Sequence, residues 1–126
     1  MGLASMIKIT IPGEMPGLNE IIDAAKSSKY KYADLKRVNT DAVAWTAKRL
    51  PKANRLYLVI TWYCKDQKKD PDNIAAAVKF IWDGLKESGM IPNDGWKQNG
   101  GWENHFEVDK QNPRVEIEIR NIKEEI

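Results

Sequence analysis

The 126-residue chain is long enough for one domain around one core and too short for a large multidomain enzyme. Its 42 % hydrophobic and 30 % charged residues are ordinary for a soluble fold, with no apolar run of bilayer-spanning length and no opening signal-peptide pattern. Twenty basic against 18 acidic residues leave a net charge of +2, so a nucleic-acid partner would have to meet local rather than global positive charge; the single cysteine, Cys64, excludes a disulfide framework and any multi-cysteine metal cluster, and favours a cytoplasmic setting.

Met6 can serve as a natural start, which would make residues 1–5 an added or frayed end. Ile7, Ile9 and Ile11 alternate with Lys8 and Thr10, the pattern of a half-buried strand, and Pro12-Gly13 stops it. Met15-Pro16-Gly17 reads as a turn, and Leu18, Ile21, Ile22 and Ala25 as a short helix. Ser27 to Tyr32 breaks that pattern. Its lysines and tyrosines suit either an exposed loop with anchoring rings or contacts to phosphates and bases.

Leu35, Val38, Ala42, Trp45 and Arg49 follow helical spacing, so residues 32–50 read as a second helix whose stripe packs on the core; Pro51 and Asn54 close it. Residues 55–63 form the best strand. Leu56, Leu58, Ile60 and Trp62 face one way and Tyr57, Val59, Thr61 and Tyr63 the other, which argues for a central strand covered on both faces. Cys64 ends it, as a packed small hydrophobe rather than a nucleophile, because nothing ties it to the one histidine, His105.

Lys65 to Lys69 is a basic loop interrupted by Asp66. A helix over 71–88 follows, with Ile74, Val78, Ile81 and Leu85 on one stripe and Asp72, Ala76, Lys79 and Asp83 nearly opposite. On a continuous helix Lys79 lies on the side of Asp72, about 10 Å further along. A plain surface pair of Lys79 with Asp83 fits the same spacing. Gly89 stops the helix, and the stretch from Met90 to Trp96 carries Asp94 out of a short extended piece. Phe106 and Val108 fit a strand, and Asn112-Pro113 a turn. Val115, Ile117 and Ile119 alternate with charged residues in a last strand, so the two read as a hairpin or as neighbours, and Ile122 to Ile126 as a charged tail. The sum is a small mixed α/β domain over 1–126, with about four strands and two to three helices.

The chemistry concentrates in Lys68-Lys69-Asp70-Pro71-Asp72-Asn73. Pro71 suits the first helical position, Asp70 can cap the helix, and Asp72 suits the positive end of its dipole. The same two carboxylates are also hard oxygen ligands held at a rigid helix start, as Mg²⁺ requires. Asp94 joins them only if the segment after the helix folds alongside that region; three such carboxylates must raise a pKa or bind a cation. An EF-hand starting at Asp70 fails, since it needs glycine and glutamate where Ala75 and Ile81 stand. No Walker-type phosphate loop is present, and one histidine rules out a multi-histidine site.

The run from Lys65 to Trp96 resembles the RusA family of Holliday junction resolvases, endodeoxyribonucleases common in phages and prophages. The resemblance rests on basic residues, Asp70-x-Asp72-Asn73, an apolar helix with Asp83-Gly84-Leu85, then Gly89-Met90-Ile91 and Asp94. The opening strand, Pro16-Gly17-Leu18-Asn19 and the closing strand are also similar to that family.

The resemblance implies a homodimer that cleaves four-way branched DNA with Mg²⁺, for which Mn²⁺ can substitute, in recombination and repair within a bacterial cytoplasm. It makes Asp70, Asp72 and Asp94 the metal-binding and catalytic carboxylates. Lys79 matches the family's helix lysine when aligned backwards from Asp83-Gly84-Leu85; members often carry the lysine nearer, where this chain has Ala76. Asn93 stands where a second acidic residue is common. Lys65, Lys68, Lys69 and Asn73 are the expected DNA contacts, and no membrane partner is expected. A non-catalytic junction-binding protein of phage origin and a structural domain with acidic helix caps remain alternatives.

Overall fold

The computed structural model describes residues 3–122, with side chains from Met6 onward. Its elements are β1 (Leu3–Pro12), α1 (Leu18–Ser27), α2 (Lys29–Ala47), β2 (Leu56–Cys64), α3 (Pro71–Ala75), α4 (Val78–Glu87), β3 (Asn99–Val108) and β4 (Arg114–Ile122). The four strands make one mixed sheet in the order β1-β4-β2-β3, as the small mixed α/β reading expects. β4 runs antiparallel to both β1 and β2, while β2 and β3 are parallel. The parallel pair needs a crossover, which α3 and α4 supply.

Strand alternation decides which face is buried. Ile9 and Ile11, Leu56, Leu58, Ile60 and Trp62, and Val115, Ile117 and Ile119 point to the helix side, where Val43 and Ala47 of α2 and Phe80, Ile81, Trp82 and Leu85 of α4 close a single core. Gly84 sets the approach of α4 to α2: a β-carbon there would overlap Val43 and lie 2.9 Å from the Thr40 carbonyl oxygen.

Several expectations are corrected. β2 is central, but helices cover only one of its faces. Tyr57, Val59, Thr61 and Tyr63 lie half-buried on the other, where Arg114 stacks 3.8 Å over Tyr63 and Arg120 sits 5.9 Å over Tyr57. The guanidinium groups lie over these rings without a second helical layer. The last two strands form neither a hairpin nor a neighbouring pair, because β2 lies between β3 and β4.

The loop expected over 27–32 shrinks to Ser28. Its N–H donates to the Ala24 carbonyl at the end of α1, and its hydroxyl accepts from the Lys31 N–H at the start of α2. In α2 the inward stripe is Leu35, Asn39, Val43 and Ala47. Val38 and Trp45, expected in the core, are 51 % and 76 % exposed. The helix expected over 71–88 is broken at Ala76-Ala77, where the bonding shifts to Ala77 N–H on Ile74 and Phe80 N–H on Ala77. No proline or glycine stands there; the break coincides with complete burial of Ala77. At the ends, Leu3 and Ser5 pair with Ile122 and Asn121, while residues 1–2 of the expected added or frayed end and 123–126 of the expected charged tail lie outside the described residues.

Candidate active site

The loop between β2 and α3 is pinned from both sides. The Lys65 N–H donates to Glu14 Oε2 at 2.7 Å and the Lys68 N–H to Asp66 Oδ1 at 3.0 Å. Lys69 pairs through its ammonium with Glu20 on α1, and that bond holds the Glu20 carboxyl below its ordinary range. Behind the loop lies a cleft of about 230 Å³ lined by Glu14, Trp62, Cys64, Arg114 and Lys65, Lys68 and Lys69. Two of these cations are already committed. Lys69 serves Glu20, and Arg114 bonds Asp109 and Glu116, each at 2.8 Å. Lys65 and Lys68 have no ion pair among the described residues, and both are exposed.

Asp70 holds the N-cap position in extended conformation, and its carbonyl accepts the Ile74 N–H at 3.1 Å. Its side chain makes no cap bond. That removes half of the structural explanation for the acidic pair: the exposed Asp70 carboxylate is not consumed by the helix. It lines a groove together with Asp66, Lys69, Phe106, Glu107 and Val108. Asp72, one turn-position on, is also exposed. Asn73 turns inward, and its Oδ1 is buried against Gly17 with no hydrogen-bond donor.

Lys79 belongs to α4, beyond the break, so the continuous-helix argument for placing it beside Asp72 does not hold. Its Nζ lies 3.7 Å from Asp83 Oδ2. Asp83 is no surface residue: its side chain is only 17 % exposed, and Oδ2 is buried without a hydrogen-bond partner. Sequence spacing alone showed the pair but not this burial. Its only signal was the neighbouring Trp82-x-Gly84, which the close α2–α4 contact requires.

Asp94 lies at the other end of the sheet. Ala53 N–H donates to the Met90 carbonyl and Leu56 N–H to that of Gln98, each at 2.8 Å, and Gly95 accepts from Gln98 and Asn99. These bonds clamp the Asp94 loop to the start of β2. Asp70 lies past the end of β2, and the eight steps from Leu56 to Cys64 span roughly 26 Å at a strand's rise. The segment after the helix therefore does not fold alongside the acidic pair of its own chain. Among the described residues no three His, Cys, Asp or Glu side chains gather as a metal-holding group.

Cys64 and His105 are separated as well. His105 is in register with Thr61 on the open face and bonds Glu103 at 2.6 Å, whereas Cys64 faces the helices and burial pushes its thiol up. A cysteine–histidine nucleophile is excluded.

No known protein-family model matches the chain. No curated protein matches it either. The functional reading thus stands on the residues themselves. No helix among the described residues is long and apolar enough to cross a membrane.

Proposed function

We propose that this chain is a RusA-like, Mg²⁺-dependent endodeoxyribonuclease that acts on four-way branched DNA as a homodimer in the bacterial cytoplasm. The observation that carries the reading is the Asp70 carboxylate, placed at a helix start yet unused by the helix, two residues from exposed Asp72 and beside the lysine-lined cleft. The donor set suits Mg²⁺, which prefers carboxylate oxygens and keeps several waters. Bound there, the ion would polarise the scissile phosphate and lower the pKa of a coordinated water. Lys65 and Lys68, without a carboxylate partner among the described residues, meet backbone phosphates and hold the strand across the acidic pair. Lys79, on α4 beyond the helix break and facing Asp83, is left out of this reading.

The remote position of Asp94 favours a second reading, a junction-binding protein without cleavage. One experiment separates the two. On a synthetic four-way junction with Mg²⁺ titrated, the wild-type chain should cleave, and Asp72→Asn should bind in a gel shift without cleaving. Binding without cleavage by the wild-type chain at every Mg²⁺ concentration would leave only the second reading.

A further inference from the structure

The cleft behind the loop from Lys65 to Lys69 has two kinds of lining. Its floor is Met15, Trp62, Cys64, Ile74 and Val115, buried or half-buried, from the ends of β2 and β4, the turn before α1 and the first turn of α3. Its rim is charged: Lys65, Lys68, Lys69 and Arg114 stand against Glu14 and Asp66. We propose that this cleft is a nucleotide pocket, which takes one base swung out of the stack of a branched DNA strand and holds the phosphate beside it on Lys65 and Lys68. The proposal rests on the reading of the chain as a nuclease of branched DNA and adds a reason for it to prefer the branch over the duplex.

The lining selects the ligand. A mostly apolar pocket with a few converging polar groups suits a small ligand that is itself partly apolar. The floor has little with which to read the edge of a ring. Trp62 Nε1 is spent on Asn104 at 2.8 Å, and the Cys64 carbonyl accepts the Asp109 N–H at 2.8 Å. Burial pushes the Cys64 thiol up, so it stays neutral and packs as an apolar group. A planar ring can therefore pack there whatever its sequence identity, as bases do on sequence-tolerant surfaces. On the rim, Lys69 is committed to Glu20 and Arg114 to Asp109 and Glu116, which leaves Lys65 and Lys68 for an anion. A phosphate alone would leave the floor empty, and a neutral apolar molecule would leave the lysines unused. A nucleotide uses both.

The position suits the chemistry proposed above. Cys64, Asp66, Lys69 and Ile74 line both the cleft and the groove that holds Asp70. The loop over the cleft is pinned at Lys65 by Glu14 and at Lys69 by Glu20, so the pocket is formed before DNA arrives. A base seated in it carries the adjoining phosphate to the acidic pair. Taking a base out of a duplex costs unstacking and unpairing, and costs least where the base is already unpaired. The cleft thus favours the point of branching without reading sequence.

Cys64 is the chain's single cysteine and lines the cleft, so its reaction with a neutral maleimide reports whether the cleft is filled. A short oligothymidylate should slow the labelling of the wild-type chain. The same strand built from abasic sugars has the phosphates without the rings, and half-protection should need roughly tenfold more of it, the worth of one stacked base. Equal protection by the two strands, or none by either, would overturn the pocket. Met15 lines the cleft and not the groove, and Phe106 the groove and not the cleft. Met15→Phe should narrow the cleft and erase the difference between the strands, whereas Phe106→Ala should keep it. The reverse pattern would put the base in the groove and overturn the assignment. If a thermal melt shows Met15→Phe unfolded, Phe106→Ala and the abasic comparison still decide.

A fluorescent adenine analogue that is quenched by stacking reads the preference for the branch. With EDTA present to prevent cleavage, it should brighten on binding when placed at the branch point of a four-way junction and stay dark in the middle of an arm. Equal signals at the two places, or none at either, would overturn that preference. Cleavage of the junction with Mg²⁺ is the separate readout of the nuclease. Cleavage without base-dependent protection of Cys64 would remove the pocket and leave the nuclease. Base-dependent protection in a chain that cuts no junction would keep a nucleotide-binding cleft and remove the nuclease.

Discussion

The side-chain oxygen of Asn73 occupies the space that a β-carbon on Gly17 would need. Gly17 caps α1, its N–H donating to Glu20 Oε1 at 3.1 Å, and Glu20 also holds Lys69. One set of contacts thus runs from the start of α1 to the first turn of α3 and to the residue before Asp70. The first helix positions the acidic pair although none of its side chains belongs to it.

Gly17→Ala should therefore displace Asn73 and destabilise the fold by about 1–3 kcal/mol, the range for overpacking a closed contact. Asn73→Ala vacates the space and removes a buried oxygen that has no donor. The double variant should cost less than the sum of the singles, with a coupling of at least about 0.5 kcal/mol in a urea-melt cycle. Strict additivity would show that the two residues are not in contact in solution.

Gly84→Ala strikes the α2–α4 approach, where the Thr40 carbonyl cannot yield as a flexible side chain would. We expect a loss of about 1–3 kcal/mol, read as a lower Tm, with junction binding retained at temperatures where the variant is folded. A Tm equal to wild type would mean that α2 and α4 are further apart than described.

What the sequence disclosed followed from periodicity. β1, β2 and β4 alternate clearly, and Pro71 marks the start of α3. β3 was nearly invisible, because a polar edge strand with two glycines and five of ten residues polar or charged has no inward stripe to read. With β3 read only as Phe106 and Val108, its parallel partner β2 could not be inferred, and a hairpin with β4 was the natural error. The inward stripe of α2 was misassigned because Asn39 takes a core-facing position, its Nδ2 bonding the Leu35 carbonyl, while Trp45 points outward. Asp70, Asp72 and Asp94 were all named from local sequence, but the separation of Asp94 from the other two is set by the β2–β3 crossover, which local spacing does not encode.

The Lys69–Glu20 pair gives an acid sensitivity of known sign. Lys69 lowers the folded-state pKa of Glu20, so the contribution is fully present above the ordinary value of 4.5 and is lost as pH falls through the lower folded value. In urea melts the stability difference between wild type and Glu20→Gln should be constant at neutral pH and shrink below 4.5. A difference that persists unchanged at the acid end would show that the pair does not form.

The same pair divides the lysines of the cleft. Lys65→Ala and Lys68→Ala should each flatten the slope of log affinity against log salt on junction DNA by up to about 0.9, one phosphate contact. Lys69→Ala should change it less, because Glu20 already neutralises that charge. Glu20→Gln should release Lys69 and steepen the slope. Equal effects of all three lysines would show that Glu20 lets go of Lys69 when DNA binds.

Metal linkage separates the acidic residues by their place in the fold. A ligand that binds only the folded state raises stability, by about 2.7 kcal/mol at 100 times its Kd. Asp72→Asn should abolish the Mg²⁺-dependent rise in Tm at every protein concentration, because Asp72 sits in the acidic pair itself. Asp94→Asn should leave the rise unchanged in melts of dilute chains. The reason is the length of β2, which keeps Asp94 from Asp70 and Asp72 within one copy. Thermal melts of the three proteins with EDTA and with millimolar Mg²⁺, repeated over a dilution series, decide the matter. An Asp94→Asn effect that survives full dissociation would mean that the loop after α4 reaches the acidic pair of its own chain, and would return the third carboxylate to the position that the sequence alone suggested.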